Sequence, residues 1–316
     1  MKLGIPTGLL FAQYETFVTT FFRELGADVL YTGATDQETL NLGSRHCVDE
    51  ACLPIKLFHG QVKRLMDQCD YVVVPRLMRC EFGEAICPKF AGLPDLVESG
   101  LEDTRLAFTQ PLHLDDRDRM TRALVEDGVK LGFSQGAIRK AAALAWEAQT
   151  EKNQFARDQI LGLSNPRPPD KLSNPRPPDK IFLAGHPYHI HDSFLNLGIH
   201  KKLDQLGIRV ITHDAVSQEE KEAELTGLMK QPYWMFFTQN YGAGKALVRK
   251  GEIQGILYLS SFNCGTDSFT IDMLKHAIGD FPMMVLKLDE QTGEAGCVTR
   301  LEAFADILQK GRCCSS

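Results

Sequence analysis

Three of the nine cysteines in this 316-residue chain stand where a metal ligand is more plausible than a core residue. They are Cys52, Cys87 and Cys264, and each lies where a predicted strand or loop gives way to a helix. The Cys87-Pro88 step is typical of iron–sulfur ligation, because the chain must turn away from the cluster. An Asn-Cys-Gly turn, as at Cys264, exposes its sulfur. We therefore expect these three thiols to act as metal or cluster ligands.

The remaining cysteines are weaker candidates, because free cysteine is among the most buried residue types. Cys69 and Cys297 lie in apolar surroundings and are expected in the core, whereas Cys47 fits either role. Cys80 follows the third predicted strand, and a role as a fourth ligand stays open. Since we expect a cytoplasmic protein, whose thiols stay reduced, we do not expect a disulfide framework.

Zinc is the main competitor of iron and sulfur for these cysteines. Structural zinc sites normally use two closely spaced pairs of ligands, and the sequence lacks two such cysteine pairs. Three widely separated cysteines with an open fourth position suit a reactive or docking cluster better. A zinc-binding structural or assembly protein nevertheless remains an alternative on the residues alone.

Other motifs carry less information about chemistry. The histidines between Gly185 and His191 follow a predicted strand and can contact a ligand, although turn-forming and hydrogen-bonding roles are favoured. No Walker sequence exists in the chain, which argues against a P-loop for ATP. The glycine-rich segment 241–245 lies in a helical pattern and is predicted to be a point of close packing.

Composition excludes several classes of protein. Hydrophobic residues make up 43% and charged residues 24% of the chain, which is typical of a globular protein. A net charge of −6 argues against nucleic-acid binding. The sequence has no apolar run of 18 residues that would span a membrane. Its first residues resemble a strand rather than a signal peptide, so we expect a cytoplasmic location.

A perfect duplication divides the chain. Residues 163–171 are repeated at 172–180, and the two copies together contain six prolines. Proline interrupts helices and central strands, so this run is predicted to be an exposed linker. We therefore expect an N-terminal α/β domain at 1–162, which ends in long helices, a linker at 163–180 and a C-terminal α/β domain at 181–316.

Both halves show short apolar strands that alternate with amphipathic helices. This pattern predicts two Rossmann-like domains with parallel sheets. In each half a glycine, Gly26 or Gly207, follows the first long helical pattern, as a C′ residue should. Ligands of open α/β sheets bind at the carboxyl ends of the strands. We therefore expect the three cysteines to face a cleft between the domains.

Several long segments resemble one family. They are 49–56, 87–95, 184–188, 260–265, 293–296 and 299–304, and they include Cys52, Cys87 and Cys264. They are similar to the uncharacterised domain associated with CoA-substrate-specific enzyme activases. That family is related to 2-hydroxyacyl-CoA dehydratase subunits and to double-cubane cluster proteins of anaerobes. The similarity extends over nearly the whole chain apart from the duplicated linker and the C-terminal tail.

The resemblance implies an oxygen-sensitive iron–sulfur protein with Cys52, Cys87 and Cys264 as ligands of a 4Fe-4S cluster, which can be joined as a double cubane. It further implies a homodimer that receives low-potential electrons from a separate ATP-dependent activase. The chief hypothesis is an oxidoreductase that performs reductive or dehydratase-like chemistry on a small molecule. A non-catalytic electron carrier or cluster scaffold is the alternative. The resemblance assigns no catalytic residue, substrate or role for CoA thioesters.

Overall fold

The structure is a computed structural model, which describes residues 1–80, 83–160, 179–230 and 233–313. The chain divides into two compact units. Unit 1 comprises Met1–Asn153 with Tyr233–Met235, and unit 2 comprises Gln154–Pro232 with Phe236–Ser316. The predicted linker lies outside the described residues except for its last two positions, Asp179 and Lys180, which begin a strand.

Unit 1 contains a four-stranded sheet, a two-stranded sheet and seven helices whose bounds follow. The elements are β1 (Lys2–Ile5), α1 (Phe11–Glu24), β2 (Asp28–Tyr31), α2 (Gln37–Arg45), α3 (Leu53–Met66), β3 (Tyr71–Val73), β4 (Arg76–Arg79), α4 (Pro88–Ala91), α5 (Leu93–Gly100), β5 (Leu106–Ala107), β6 (Pro111–His113), α6 (Arg117–Lys130) and α7 (Gln135–Ile160), the last of which runs on into unit 2. The four-stranded sheet is parallel throughout, with the order β2-β1-β3-β5.

Unit 2 contains a second four-stranded parallel sheet. Its elements are β7 (Asp179–Gly185), α8 (Pro187–His191), α9 (Ile199–Gln205), β8 (Ile208–Ile211), α10 (Gln218–Ala223), α11 (Met235–Phe237), α12 (Ala243–Lys250), β9 (Gly255–Ser261), α13 (Gly265–Ile278), β10 (Met283–Leu288) and α14 (Glu294–Cys313). A 3-10 turn covers His213–Ala215, and a π-helical segment covers Thr238–Gly242. The order along the sheet is β8-β7-β9-β10.

The two sheets therefore have the same arrangement. In each, the first strand of the unit pairs with the second on one side and with the third on the other. Every residue of the central strand β9 is buried, as expected for a parallel sheet covered on both faces. The prediction of an α/β protein with Rossmann-like parallel sheets is confirmed. In such sheets the ligand position lies at the carboxyl ends of the two central strands, where the strand order reverses.

Two elements are shorter than the apolar pattern along the chain. The first apolar run extends to Leu10, but β1 ends at Ile5, because Pro6 follows and Leu9 has a positive φ of 53°. α9 begins only at Ile199, because Leu197 and Gly198 are both left-handed. Gly26 and Gly207 have φ values of 65° and 70° and follow their helices as predicted.

No helix among the described residues is both long enough and apolar enough to cross a membrane.

Candidate metal centre

Cys52 is the N-cap residue of α3 in unit 1. Its backbone is extended, with φ −69° and ψ 153°, and its side chain makes no capping hydrogen bond to the helix. The thiol is half-buried. Burial raises its pKa, and the nearby ammonium of Lys89 offsets that effect only in part. A thiol with a raised pKa is a poor nucleophile, and a metal that binds it would have to displace its proton.

Cys87 occupies the same position on α4. It is the N-cap residue, half-buried, and again without a capping hydrogen bond from its side chain. Pro88 stands in the first turn, where its missing N–H costs nothing. Lys89 on this helix donates to the Glu50 carbonyl oxygen at 3.5 Å, and its charge lowers the pKa of the Cys52 thiol. The first turn of α4 therefore lies beside the N-terminus of α3, and unit 1 brings the surroundings of its two predicted ligands together.

Cys264 repeats the pattern in unit 2 as the N-cap residue of α13, also half-buried and without a capping hydrogen bond to the helix. It follows β9 at the carboxyl end of the sheet, after Asn263, which has a positive φ of 63° that asparagine tolerates. Its Sγ lies 3.4 Å from Thr266 Oγ1. The predicted turn thus directs the chain from the central strand into a helix.

Cys264 lies next to two buried residues with donor atoms for a metal. One donor atom each from His186, Cys264 and Asp267 lies within 4.8 Å of the other two. Among the described residues this is the one such group of three histidine, cysteine or acidic side chains. His186 follows β7, and Asp267 stands in the first turn of α13. The site therefore lies at the carboxyl ends of the two central strands of unit 2.

Hydrogen bonds from neighbouring side chains hold this group in place. The Tyr258 hydroxyl donates to Asp267 Oδ1 over 2.8 Å, and His186 Nδ1 is hydrogen-bonded to the Tyr188 hydroxyl. The backbone N–H of Gly185 donates to Asn240 Oδ1, 2.8 Å away in the π-helical segment. Single-turn π segments are frequent at functional sites. The donor group is thus positioned by partners that are themselves buried.

Two donor atoms at this site lack a hydrogen-bond partner. His186 Nε2 lies 2.9 Å from Asp267 Oδ1, but the two atoms are not aligned for an N–H···O bond. Asp267 Oδ2 likewise has no hydrogen-bond partner within the described part of the chain. Both side chains are almost fully buried, at 1% and 0% exposure. A buried polar atom without a hydrogen bond lowers the stability of the folded chain, so these two atoms indicate a further binding partner.

The electrostatics of the site favour a cation. Burial raises the pKa of Asp267, but the charge of His186, whose Nε2 lies 2.9 Å from Asp267 Oδ1, more than offsets this, and the pKa falls to about 2. The carboxylate is therefore ionised in the interior. Burial, followed by the charge of His186, lowers the pKa of the neighbouring His189 to about 3, so that ring is neutral at pH 7. Its Nε2 is hydrogen-bonded to Ser261 Oγ at 2.6 Å.

The corresponding edge of unit 1 has a different character. A cavity of about 130 Å³ lies at the carboxyl ends of β1 and β3. Of the side chains that line it, only Tyr14 and Trp146 carry polar atoms. Phe17, Phe21 and Phe108 form part of its aromatic wall. The cavity is therefore apolar, and no histidine, cysteine or acidic side chain lines it.

The other cysteine predictions have mixed outcomes. Cys69 and Cys297 are buried as predicted, and Cys47 is half-buried. Cys80 is fully buried after β4, and its backbone N–H donates to Glu84 O at 3.0 Å. Within the described residues Cys80 belongs to no group of three close donors. Gly244 in the glycine-rich segment packs against Leu274, which confirms the predicted close contact.

Sequence reasoning missed Asp267, Tyr258 and Asn240, and it underrated His186. A partial signal existed, because Asp267 follows Cys264 by three residues and stands on the first turn of a helix that leaves a buried strand. Tyr258 is an ordinary strand residue in sequence, and only the fold shows that its hydroxyl reaches Asp267.

The fold and these residues define an α/β protein with two parallel sheets, cysteines at three helix N-termini and a buried group of metal-binding side chains. A family model described as CoA enzyme activase uncharacterised domain matches residues 2–216, which is more than half of the chain. The chain therefore belongs to that family, as its sequence motifs predicted. None of the curated proteins compared with the chain matches it.

Proposed function

We propose that this chain is an iron–sulfur protein in which Cys52, Cys87 and Cys264 hold a cluster of the 4Fe-4S or double-cubane type. One observation carries the proposal. Each of the three cysteines is the N-cap residue of a helix, and none uses its side chain to cap that helix. Serine, threonine, aspartate and asparagine are preferred at this position. A cysteine at all three positions favours another use of the sulfur.

The physical chemistry of helix N-termini agrees with thiolate ligation. Exposed N–H groups and the helix dipole stabilise negative charge there. All three sulfurs are half-buried, so they are shielded from solvent without being closed off. Three protein ligands would leave a fourth coordination position open for a substrate or another ligand. When bound, the cluster would supply one-electron redox chemistry at low potential.

Family membership relates the chain to CoA enzyme activases. On this basis we infer that an ATP-dependent activase is its electron donor and that the chain acts as a cytoplasmic homodimer. The reaction would be a reduction or a dehydratase-like step on a small molecule. This chain's own contribution would be to hold the cluster and to exclude water from it, since burial and hydrogen bonding tune cluster potentials.

The ligand assignment is tested with single cysteine variants purified without oxygen. We expect Cys52→Ala, Cys87→Ala and Cys264→Ala each to lose most of the iron and the thiolate-to-iron absorption. Cys47→Ala is the matched control, since Cys47 is also half-buried but caps no helix. Full iron content in any of the three variants would remove that residue from the ligand set.

An electron carrier or cluster scaffold is the alternative within the same class. The two are separated by reduction with an activase, ATP and a reductant. An enzyme would consume a small substrate over many turnovers, whereas a carrier would accept a fixed number of electrons per chain and stop. A colourless protein loaded with zinc would contradict both.

A further inference from the structure

We propose that His186 and Asp267 are ligands of the metal atom that Cys264 binds, so that this atom has nitrogen and oxygen ligands as well as sulfur. The inference rests on the proposed function in one respect, because there Cys264 is a cluster ligand. It concerns unit 2 alone, where all three residues lie.

The distances between the three donor atoms are consistent with ligands that share one metal ion. Metal–ligand bonds to imidazole nitrogen and carboxylate oxygen are about 2.0–2.2 Å long, and bonds to thiolate are about 2.3 Å. Donor atoms that share one ion must therefore lie within about 4.6 Å of each other. The three donor atoms here lie within 4.8 Å of one another, before any ion draws them in. The separation of 2.9 Å between His186 Nε2 and Asp267 Oδ1 fits two ligands on one ion.

The orientation of the His186 ring carries the second step. A metal-binding histidine commonly bonds its other ring nitrogen to a fixed partner, which sets the tautomer. His186 Nδ1 is hydrogen-bonded to the Tyr188 hydroxyl. When Nδ1–H donates to that oxygen, the lone pair is on Nε2, the atom without a hydrogen-bond partner among the described residues. Phe236 stacks on the ring at 3.9 Å and restricts its rotation.

Asp267 is held in the same manner. The Tyr258 hydroxyl occupies one lone pair of Oδ1, whereas Oδ2 has no hydrogen bond within the described ranges. The Asp267 carboxyl group is 0% exposed, and one of its oxygens has no hydrogen bond among the described residues, so its bonding is incomplete. A bound cation would pair with that oxygen and with the sulfur together.

An ordinary buried His–Asp ion pair is the competing interpretation. An ion pair would gain most from an aligned N–H···O bond, and the 2.9 Å contact is not aligned. The ligand interpretation accounts for both the misalignment and the oxygen without a hydrogen bond among the described residues.

The test is a titration of the metal-free full-length protein with cobalt(II) in the absence of oxygen. In the wild type we expect saturable binding with thiolate-to-cobalt absorption. Cys264→Ser should lose that absorption. His186→Gln and Asp267→Asn should each bind cobalt at least about ten-fold more weakly. His276→Gln is the control, because His276 is exposed on the same helix α13.

A measurement on the wild type covers the case in which a variant does not fold. Cobalt-loaded protein should show one hyperfine-shifted histidine ring N–H resonance, from Nδ1–H held by Tyr188. The inference is overturned if that resonance is absent, or if folded His186→Gln and Asp267→Asn bind cobalt as tightly as the wild type.

The titration also separates this inference from the proposed function. A chain that isolates without iron and sulfide but binds cobalt through His186 refutes the cluster and keeps the ligand assignment. A chain that contains a full cluster, and whose His186→Gln variant binds cobalt as tightly as the wild type, keeps the cluster and refutes the ligand assignment. In cluster-loaded protein, pulsed EPR with and without ¹⁵N-histidine should detect a directly coordinated nitrogen, and its absence would overturn the inference.

Discussion

The carboxyl edges of the two sheets have the same strand order but opposite chemistry. In unit 1 this edge encloses an apolar cavity of about 130 Å³ with an aromatic wall. In unit 2 it holds His186, His189 and Asp267, all buried and polar. The shared topology therefore determines where a site can form, and the side chains at that position determine its chemistry.

The two regions differ in what they contribute to the stability of the protein. Apolar packing at the unit 1 edge contributes stability, whereas the buried polar group at the unit 2 edge costs stability unless a cation completes it. Local rules are commonly broken where function requires it. The following predictions test this contrast, beginning with the largest expected effect.

Removing an aromatic ring at the unit 1 edge should be the most damaging to stability. Phe21 is 1% exposed and contacts the rings of Phe17, Phe22 and Phe108. We expect Phe21→Ala to lower the free energy of unfolding by about 3–5 kcal/mol, measured by chemical denaturation.

Its control is the exposed Phe155. Phe155→Ala should change stability by less than about 0.5 kcal/mol. Metal binding per folded chain should stay unchanged in Phe21→Ala. A loss of metal from the folded Phe21→Ala variant would break the proposed separation between the two edges.

Tyr258→Phe should have the next largest effect, this time at the unit 2 edge. It removes the hydroxyl that donates to the ionised Asp267, and hydrogen bonds to charged groups contribute about 1.5–3 kcal/mol. We expect a loss of that size in metal-free protein and a smaller loss once cobalt is bound. An equal loss in both states would mean that the metal does not contact Asp267.

Acid should weaken unit 2 through His213, which begins the 3-10 turn that follows β8. Burial lowers the pKa of this ring to about 4, with opposing contributions from Asp214 and Lys221. Below pH 6.5 the unfolded chain binds a proton that the folded chain does not, so stability falls as the pH drops toward 4.

His213 should account for a loss of about 2 kcal/mol between pH 7 and pH 5, and His213→Gln should remove that part, whereas the part that comes from His189 should remain. Denaturation at the two pH values measures the effect, and hydrogen exchange localises it. The cavity walls of unit 1 carry no histidine, so first opening there at pH 5 would contradict the assignment.

Cys52→Ser should give the smallest effect and the opposite sign. Serine is a preferred N-cap residue, and Cys52 has the extended backbone that such a cap requires. We expect the metal-free variant to be about 0.5–1 kcal/mol more stable than the wild type while it loses metal. Cys69→Ser is a contrasting control, because Cys69 is buried and should only lose stability.

Much of this contrast could be predicted from the sequence, because strand and helix patterns are local. Cys52, Cys87 and Cys264 were placed at helix starts from Pro54, Pro88 and Gly265, and the structure agrees. The short apolar strands likewise predicted the α/β class, and the C′ glycines predicted where helices end.

The remainder depended on contacts that are distant in sequence. His186 and Asp267 are separated by about 80 residues and meet only because β7 and β9 are paired. Nothing local marks Tyr258 as the hydrogen-bond donor to Asp267 or Asn240 as the acceptor for Gly185. The apolar lining of the unit 1 cavity also emerged only from the fold, which brings aromatic side chains of α1 and α7 together with Phe108, the residue after β5.

The most direct test of the central claim is the iron and acid-labile sulfide content of the wild-type chain purified without oxygen. The account predicts stoichiometric iron and sulfide in equal amounts, with thiolate-to-iron absorption that disappears in Cys264→Ala. A wild-type chain that contains neither iron nor sulfide after anaerobic reconstitution would contradict it.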